Sequence, residues 1–241
     1  MASLLVLIIA IIGTQSRGAS IALASVFLFI WWSGQKKVLG LFILGTIGVI
    51  IINYAPDVYF GRMSSIANYE QEGSAMGRII AWKTAIRMAK ENPVLGVGSG
   101  HFPVKLGTEF RPPEFGDSNL PWLTAHSIYF LILGELGLPG IIFLLAMLIG
   151  NYSRLKRLHQ KIRDSNEESA SNYGRLFLML NASLIAYAIG GAFLSAAYYP
   201  HLYVIAAMIV AASYIYEMET SNIDDTQKQK RSENYNHPED K

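Results

Sequence analysis

Two arginines and a histidine are the residues with chemistry to offer in a chain that is otherwise largely apolar. Arg17 lies between two apolar runs, and its neighbours Ser16 and Gly18 are small enough to let another group approach the guanidinium. On position alone it is either an interfacial anchor or an oxyanion ligand, because arginine presents a rigid fork that matches phosphate oxygens and keeps its charge at any pH. His126, with Ser127 beside it, opens a long apolar run. An imidazole at a membrane interface can serve as a general base near neutral pH, the alternative being a capping or hydrogen-bonded structural residue. Counted along an ideal helix, His126, Phe130, Leu133, Gly137 and Gly140 share one stripe. The histidine is therefore expected to point into a helix bundle, where the two glycines let a neighbour pack closely.

Other polar groups give weaker signals. Glu135 falls inside the run that His126 opens, on roughly the opposite face, and a structural hydrogen bond or salt bridge is favoured over a direct catalytic role. Gly96-Val97-Gly98-Ser99-Gly100 resembles a phosphate-cradling loop, but it follows a helix and has no Gly-Lys-Ser/Thr ending. A tight turn bringing His101 and Phe102 toward the bundle is the favoured reading, with backbone contact to an anion a minor addition. Glu109, Glu114 and Asp117 are scattered among prolines, and Asp224-Asp225 sits in a polar tail, so no metal site is expected from either group. The chain has no cysteine, which excludes disulfide and thiolate chemistry.

These groups must be positioned by membrane-spanning elements. Hydrophobic residues make up 51% of the 241 positions and charged ones only 16%, against roughly 25% charged in an ordinary soluble domain. Apolar, uncharged runs cover residues 4–12, 19–32, 38–52, 128–149, 176–193 and 202–215, several of them near the roughly 20 residues a helix needs to cross a bilayer. The class expected is an all-α, polytopic transmembrane helix bundle. A net charge of +2 gives no reason to invoke nucleic acid. Lys36 and Lys37 lie in one short connection, and Arg154, Lys156, Arg157, Lys161 and Arg163 in another, so the positive-inside rule places both in the cytoplasm. Arg17, the segment from Pro56 to Thr124 and the turn from Tyr198 to His201 then lie outside.

Four regions follow. Residues 1–55 form a front block of about three spans, 56–123 an external loop, 124–217 a back block of about three spans, and 218–241 a cytoplasmic tail too polar to fold alone. Within the loop, residues 75–90 read as an amphipathic helix with Ser74 as N-cap and Asn92-Pro93 as stop. Ile79, Trp82, Ile86 and Ala89 form its apolar stripe, with Lys83, Arg87 and Lys90 along one edge, the pattern of a helix lying on a membrane surface. Arg78 falls on the opposite edge and is free to face a site.

Three stretches taken together resemble the O-antigen ligase and polymerase superfamily: Thr14-Gln15-Ser16-Arg17-Gly18; Met76-Gly77-Arg78-Ile79-Ile80-Ala81-Trp82 with Asn92-Pro93-Val94-Leu95-Gly96-Val97-Gly98; and His126-Ser127 with Gly137-Leu138-Pro139-Gly140. The phrasing around Arg78 and His126 is most similar to the exosortase-A-associated O-glycosylation ligase branch. The resemblance covers about residues 1–150, and the chain looks like the C-terminal part of such a protein, with an N-terminal half as an expected partner. It implies a ligase of the bacterial inner membrane, without metal or other cofactor. Such an enzyme moves a glycan from an undecaprenyl-diphosphate carrier to a lipid or protein acceptor at the periplasmic face, with His126 as base and Arg17 and Arg78 neutralising the leaving diphosphate. The alternatives are an O-antigen polymerase, which adds the same donor to a growing chain, and a truncated, non-catalytic membrane protein.

Overall fold

The computed structural model describes residues 2–14, 16–34, 36–54, 61, 73–113, 123–164 and 170–236. Among these, every regular element is a helix: α1 Ala2–Gly13, α2 Arg17–Ser33, α3 Lys37–Tyr54, α4 Gly73–Glu91, α5 Phe102–Gly107, α6 Ile128–Asp164, α7 Ala170–Gly191 and α8 His201–Asn236. Three stretches, Ile128–Arg163, Asn172–Gly191 and His201–Asn222, are long and apolar enough to cross a membrane. The chain is an all-α membrane protein. It divides into two compact units, Met1–Ile149 with Ala182–Pro200, and Gly150–Asn181 with His201–Lys241.

In the first unit, Ser16 caps α2 by accepting a hydrogen bond from the Ala19 backbone N–H (3.3 Å), which starts the helix at Arg17. At its other end Lys37 donates to the carbonyls of Trp31 and Trp32 and lies over both indole rings, tying α2 to α3. Helix α4 ends at Glu91, before Asn92-Pro93, as its stop signal implies. Its start differs from expectation: Gly73 is already helical, so Ser74 lies within the first turn. Its packed face also differs. Ala81, Thr84, Ala85, Met88 and Ala89 are buried, whereas Ile86 is exposed. Alanine is too weakly hydrophobic to mark a packing face in a sequence pattern, but its size lets a backbone come close. The Cα of Ala85 lies 3.5 Å from where a Cβ on Gly134 would sit.

Helix α6 is broken at Gly137 (φ 66°, ψ −160°). Pro139 has no N–H to give the carbonyl of Glu135, and Leu138 N–H turns away to the carbonyl of Pro93 (2.8 Å). The two carbonyls released, those of Gly134 and Glu135, accept the N–H groups of Val97 (2.9 Å) and Gly98 (3.0 Å). The loop after α4 thus supplies the hydrogen bonds that the broken helix lacks, as an apolar surrounding demands. Gly137 therefore serves a break. The continuous glycine stripe expected from helical counting is not there.

The same loop is held a second time. Gly96, Gly98 and Gly100 all have positive φ (62°, 98°, 75°), so the glycine motif is a tight turn. Its end delivers Phe102, fully buried, against Gly134, while His101 stays exposed. The buried Glu135 carboxylate accepts from the backbone N–H groups of Gly100 and Phe102 (both 2.9 Å) and from the Tyr198 hydroxyl. The structural reading of Glu135 holds: its partners are hydrogen-bond donors.

In the second unit, Tyr173, Phe177 and Tyr216 form an aromatic cluster with ring centroids 5.3–6.1 Å apart. The basic residues expected in a short connection, Arg154 to Arg163, instead ride on α6, which continues to Asp164, and Arg154 pairs with Glu217 at 3.4 Å. Likewise α8 runs helical through Asn236, past the point where composition predicts disorder. Glu, Gln, Lys and Arg are good helix formers, and a helix already nucleated propagates at little cost. Glu114 and Asp117 lie outside the described residues, and Glu109 pairs with Lys105.

Removing the Glu135 carboxylate leaves three donors without their acceptor. Glu135→Ala is expected to lower stability by about 3–5 kcal/mol. Gly137→Ala would place a Cβ 2.6 Å from the Pro93 carbonyl oxygen at a backbone conformation reserved for glycine, and should lower it comparably. Thermal unfolding in detergent, with Leu138→Ala at the exposed neighbouring position as control, measures both; wild-type melting of either variant would contradict the clamp.

Candidate functional site

His126 is where the backbone is most constrained. Its φ is +48°, the only positive φ among the described non-glycine residues, and α6 begins two residues later. The histidine thus stands on a left-handed bend ahead of the helix, and the helical counting that placed it on a stripe with Phe130 and Gly137 does not apply. A non-glycine residue in this region costs on the order of 1–3 kcal/mol and persists only where its surroundings fix it. They do so on both sides. The Ala125 carbonyl accepts from Trp82 Nε1 (2.8 Å), the Thr124 hydroxyl donates to that of Ser195 (2.7 Å), and Ser127 and Ile128 are buried.

Trp82 also brings in Arg78. Its indole stacks on Phe130 (centroids 5.0 Å, planes 15° apart), which fixes α4 against the start of α6. Arg78 lies one turn before Trp82 on the same side of α4. It acts on the histidine: burial is the larger cause lowering the His126 pKa, and the Arg78 cation is the second. Both disfavour the imidazolium, so near pH 7 the imidazole is neutral and can accept a proton. Beside Arg78, a Cβ on Gly77 would meet nothing within 4 Å among the described residues.

Arg17 reaches the same region through the turn after α7. A Cβ on Gly18 would come within 2.8 Å of the Cβ of Phe193, so only glycine allows this approach. Two residues on, Ser195 takes the hydrogen bond from Thr124, and further along Tyr198 donates to Glu135. The turn is braced from within by Tyr187, whose hydroxyl donates to the Ala196 carbonyl (3.1 Å). Arg17 occupies the first turn of α2, at the positive end of the helix dipole, a position that favours a nearby anion.

The structure therefore brings the segments carrying Arg17 and His126 against one turn, ties the Arg78 helix to the His126 segment through Trp82, and leaves Glu135 as a brace. Sequence reasoning missed Trp82, Phe193, Ser195 and Tyr198. Trp82 was legible in part, as an aromatic one turn from Arg78, but it was assigned to a lipid-facing stripe. The other three lie in a turn that the sequence marked only as external from Tyr198 to His201, and their partners are distant in sequence.

No curated protein and no solved structure matches the chain significantly. The family model for O-antigen ligase matches residues 2–145, more than half of the chain, and the match includes Arg17, Arg78, His126 and Glu135. The chain belongs to the O-antigen ligase family.

Proposed function

We propose that the chain transfers a glycan from an undecaprenyl-diphosphate carrier to a hydroxyl of a lipid or protein acceptor at the periplasmic face of the bacterial inner membrane, with Arg17, Arg78 and His126 as the reacting groups. The observation that carries this reading is the half-buried His126 on its left-handed bend, its pKa lowered first by burial and then by the Arg78 cation. A base kept unprotonated in the field of a cation suits a reaction in which a proton leaves one reactant while negative charge grows on another.

The acceptor oxygen attacks the anomeric carbon while its proton passes to the His126 imidazole. The bond from that carbon to the diphosphate breaks, and the electron pair leaves with undecaprenyl diphosphate. Arg17 and Arg78 stabilise the charge that grows there, Arg17 aided by the α2 N-terminus. A single displacement of this kind inverts the anomeric configuration.

Three outcomes are expected of purified protein given a lipid-diphosphate-linked glycan and an acceptor. His126→Ala should lose transfer by two to four orders of magnitude, on the order expected for a general base, while still inserting and melting as a folded protein; an active variant removes the histidine from the mechanism. Arg17→Lys should lose most activity, because an ammonium cannot reproduce a bidentate fork; full activity would make Arg17 an anchor.

The third concerns pH. With its pKa depressed, His126 is neutral down to below the ordinary histidine value of about 6.5, so the acid limb of kcat/KM should lie below that pH. Arg78→Gln removes one of the two causes and should move the limb upward in the activity that remains. The same depression acts on stability: the folded state resists protonation, so stability is unaffected above about pH 6.5 and declines as pH falls through and below it. An acid limb that does not move in Arg78→Gln would uncouple the two residues.

A further inference from the structure

Helix α4 carries a second basic site on the side away from Arg78. Lys83 and Arg87, one turn apart, line a cleft of about 140 Å³ with Ile80, Thr84, Pro112 and Pro113. At 100° per residue they stand about 140° and 180° around the helix from Arg78, so an anion held here is not the one held beside His126. The Arg87 guanidinium lies over the ring of the buried Phe110 (5.4 Å), which orders it before any ligand arrives. Thr84 spends its hydroxyl proton on the Ile80 carbonyl (3.0 Å), so the donors left to a ligand are the two cations. Among the described residues no carboxylate pairs with Lys83 or Arg87. The two prolines offer no N–H and form a stiff apolar wall.

We propose that this cleft binds a phosphate oxyanion, either the phosphodiester headgroup of an anionic lipid or a free phosphate. Arg87 supplies a fork held flat by Phe110, and Lys83 a mobile point charge that closes on the second oxygen. The apolar wall of Ile80, Pro112 and Pro113 fits the glycerol portion of a headgroup better than a fully hydrated ion. The inference does not depend on the transfer reaction, because its residues lie on another face of the helix.

The test is lipid retention by the purified full chain in neutral detergent, read by native mass spectrometry with phosphatidylglycerol and phosphatidylcholine as competing probes. Wild type should retain phosphatidylglycerol roughly tenfold more than phosphatidylcholine. Lys83→Gln, at an exposed position that does not threaten folding, should reduce that preference roughly threefold, and Lys83→Gln with Arg87→Gln should abolish it. Lys161→Gln, an exposed cation on α6 far along the chain from the cleft, should leave it unchanged. Displacement of the lipid by millimolar inorganic phosphate would identify free phosphate as a sufficient ligand, and retention of the lipid under that challenge would identify the headgroup; both outcomes support the site provided the lysine and arginine variants lose binding. An unchanged preference in the double variant, no preference in wild type, or an equal loss in Lys161→Gln would overturn it.

Discussion

One buried carboxylate holds together the parts that matter. Glu135 lies in a membrane-spanning segment, where an unpaired charge would be prohibitive, and it satisfies that constraint by accepting from Gly100, Phe102 and Tyr198. The three donors come from two segments. Gly100 and Phe102 close the loop that follows the Arg78 helix, and Tyr198 belongs to the turn against which the Arg17 helix end packs. Glu135 itself lies two turns into the helix that follows His126. A cost imposed by the membrane is thereby turned into a joint between three segments far apart in sequence. The break at Gly137 reinforces it, because the loop also supplies the N–H donors that the Gly134 and Glu135 carbonyls lack.

Above that joint, strain and electrostatics act on the same residue. The left-handed backbone of His126 is unfavourable by itself, and so is the depression of its pKa by burial and by Arg78. Both costs are met by neighbours that do no chemistry: Trp82 on the Ala125 carbonyl, Ser195 on Thr124, and Phe193 in the space left by Gly18. The result is a constrained backbone at His126 and an imidazole whose protonation is disfavoured by burial and by the Arg78 cation.

What the sequence disclosed follows the range of the forces involved. Apolar run length revealed the all-α membrane class, because burial in lipid acts on every residue of a span. Asn92-Pro93 marked the end of α4, and the glycine motif read correctly as a turn, since both signals are local backbone chemistry. Arg17 and His126 stand out at the ends of apolar runs, and Arg78 at the edge of an amphipathic stripe. The rest depended on contacts between distant segments. Nothing near Glu135 announces Tyr198, and nothing near Gly18 announces Phe193. Helical counting through Gly137 failed because a glycine followed by a proline two residues later can end one helical ladder and begin another, and the pattern of side chains does not record it. The face of α4 was misread for a similar reason: alanines pack by closeness, which hydrophobic periodicity does not weigh.

The central geometric claim is that the turn after α7 lies against the segment carrying His126. The hydroxyl oxygens of Thr124 and Ser195 are 2.7 Å apart, so cysteines at both positions are placed to bond at about 2.05 Å, and the chain has no native cysteine to compete. Thr124→Cys with Ser195→Cys, oxidised gently in the membrane and then alkylated, should come out mostly unalkylated and two hydrogens lighter, with its two halves still joined after cleavage between them. Full alkylation of both thiols in protein that remains folded would mean that the turn is elsewhere, and that Arg17 is not held near His126 by this route.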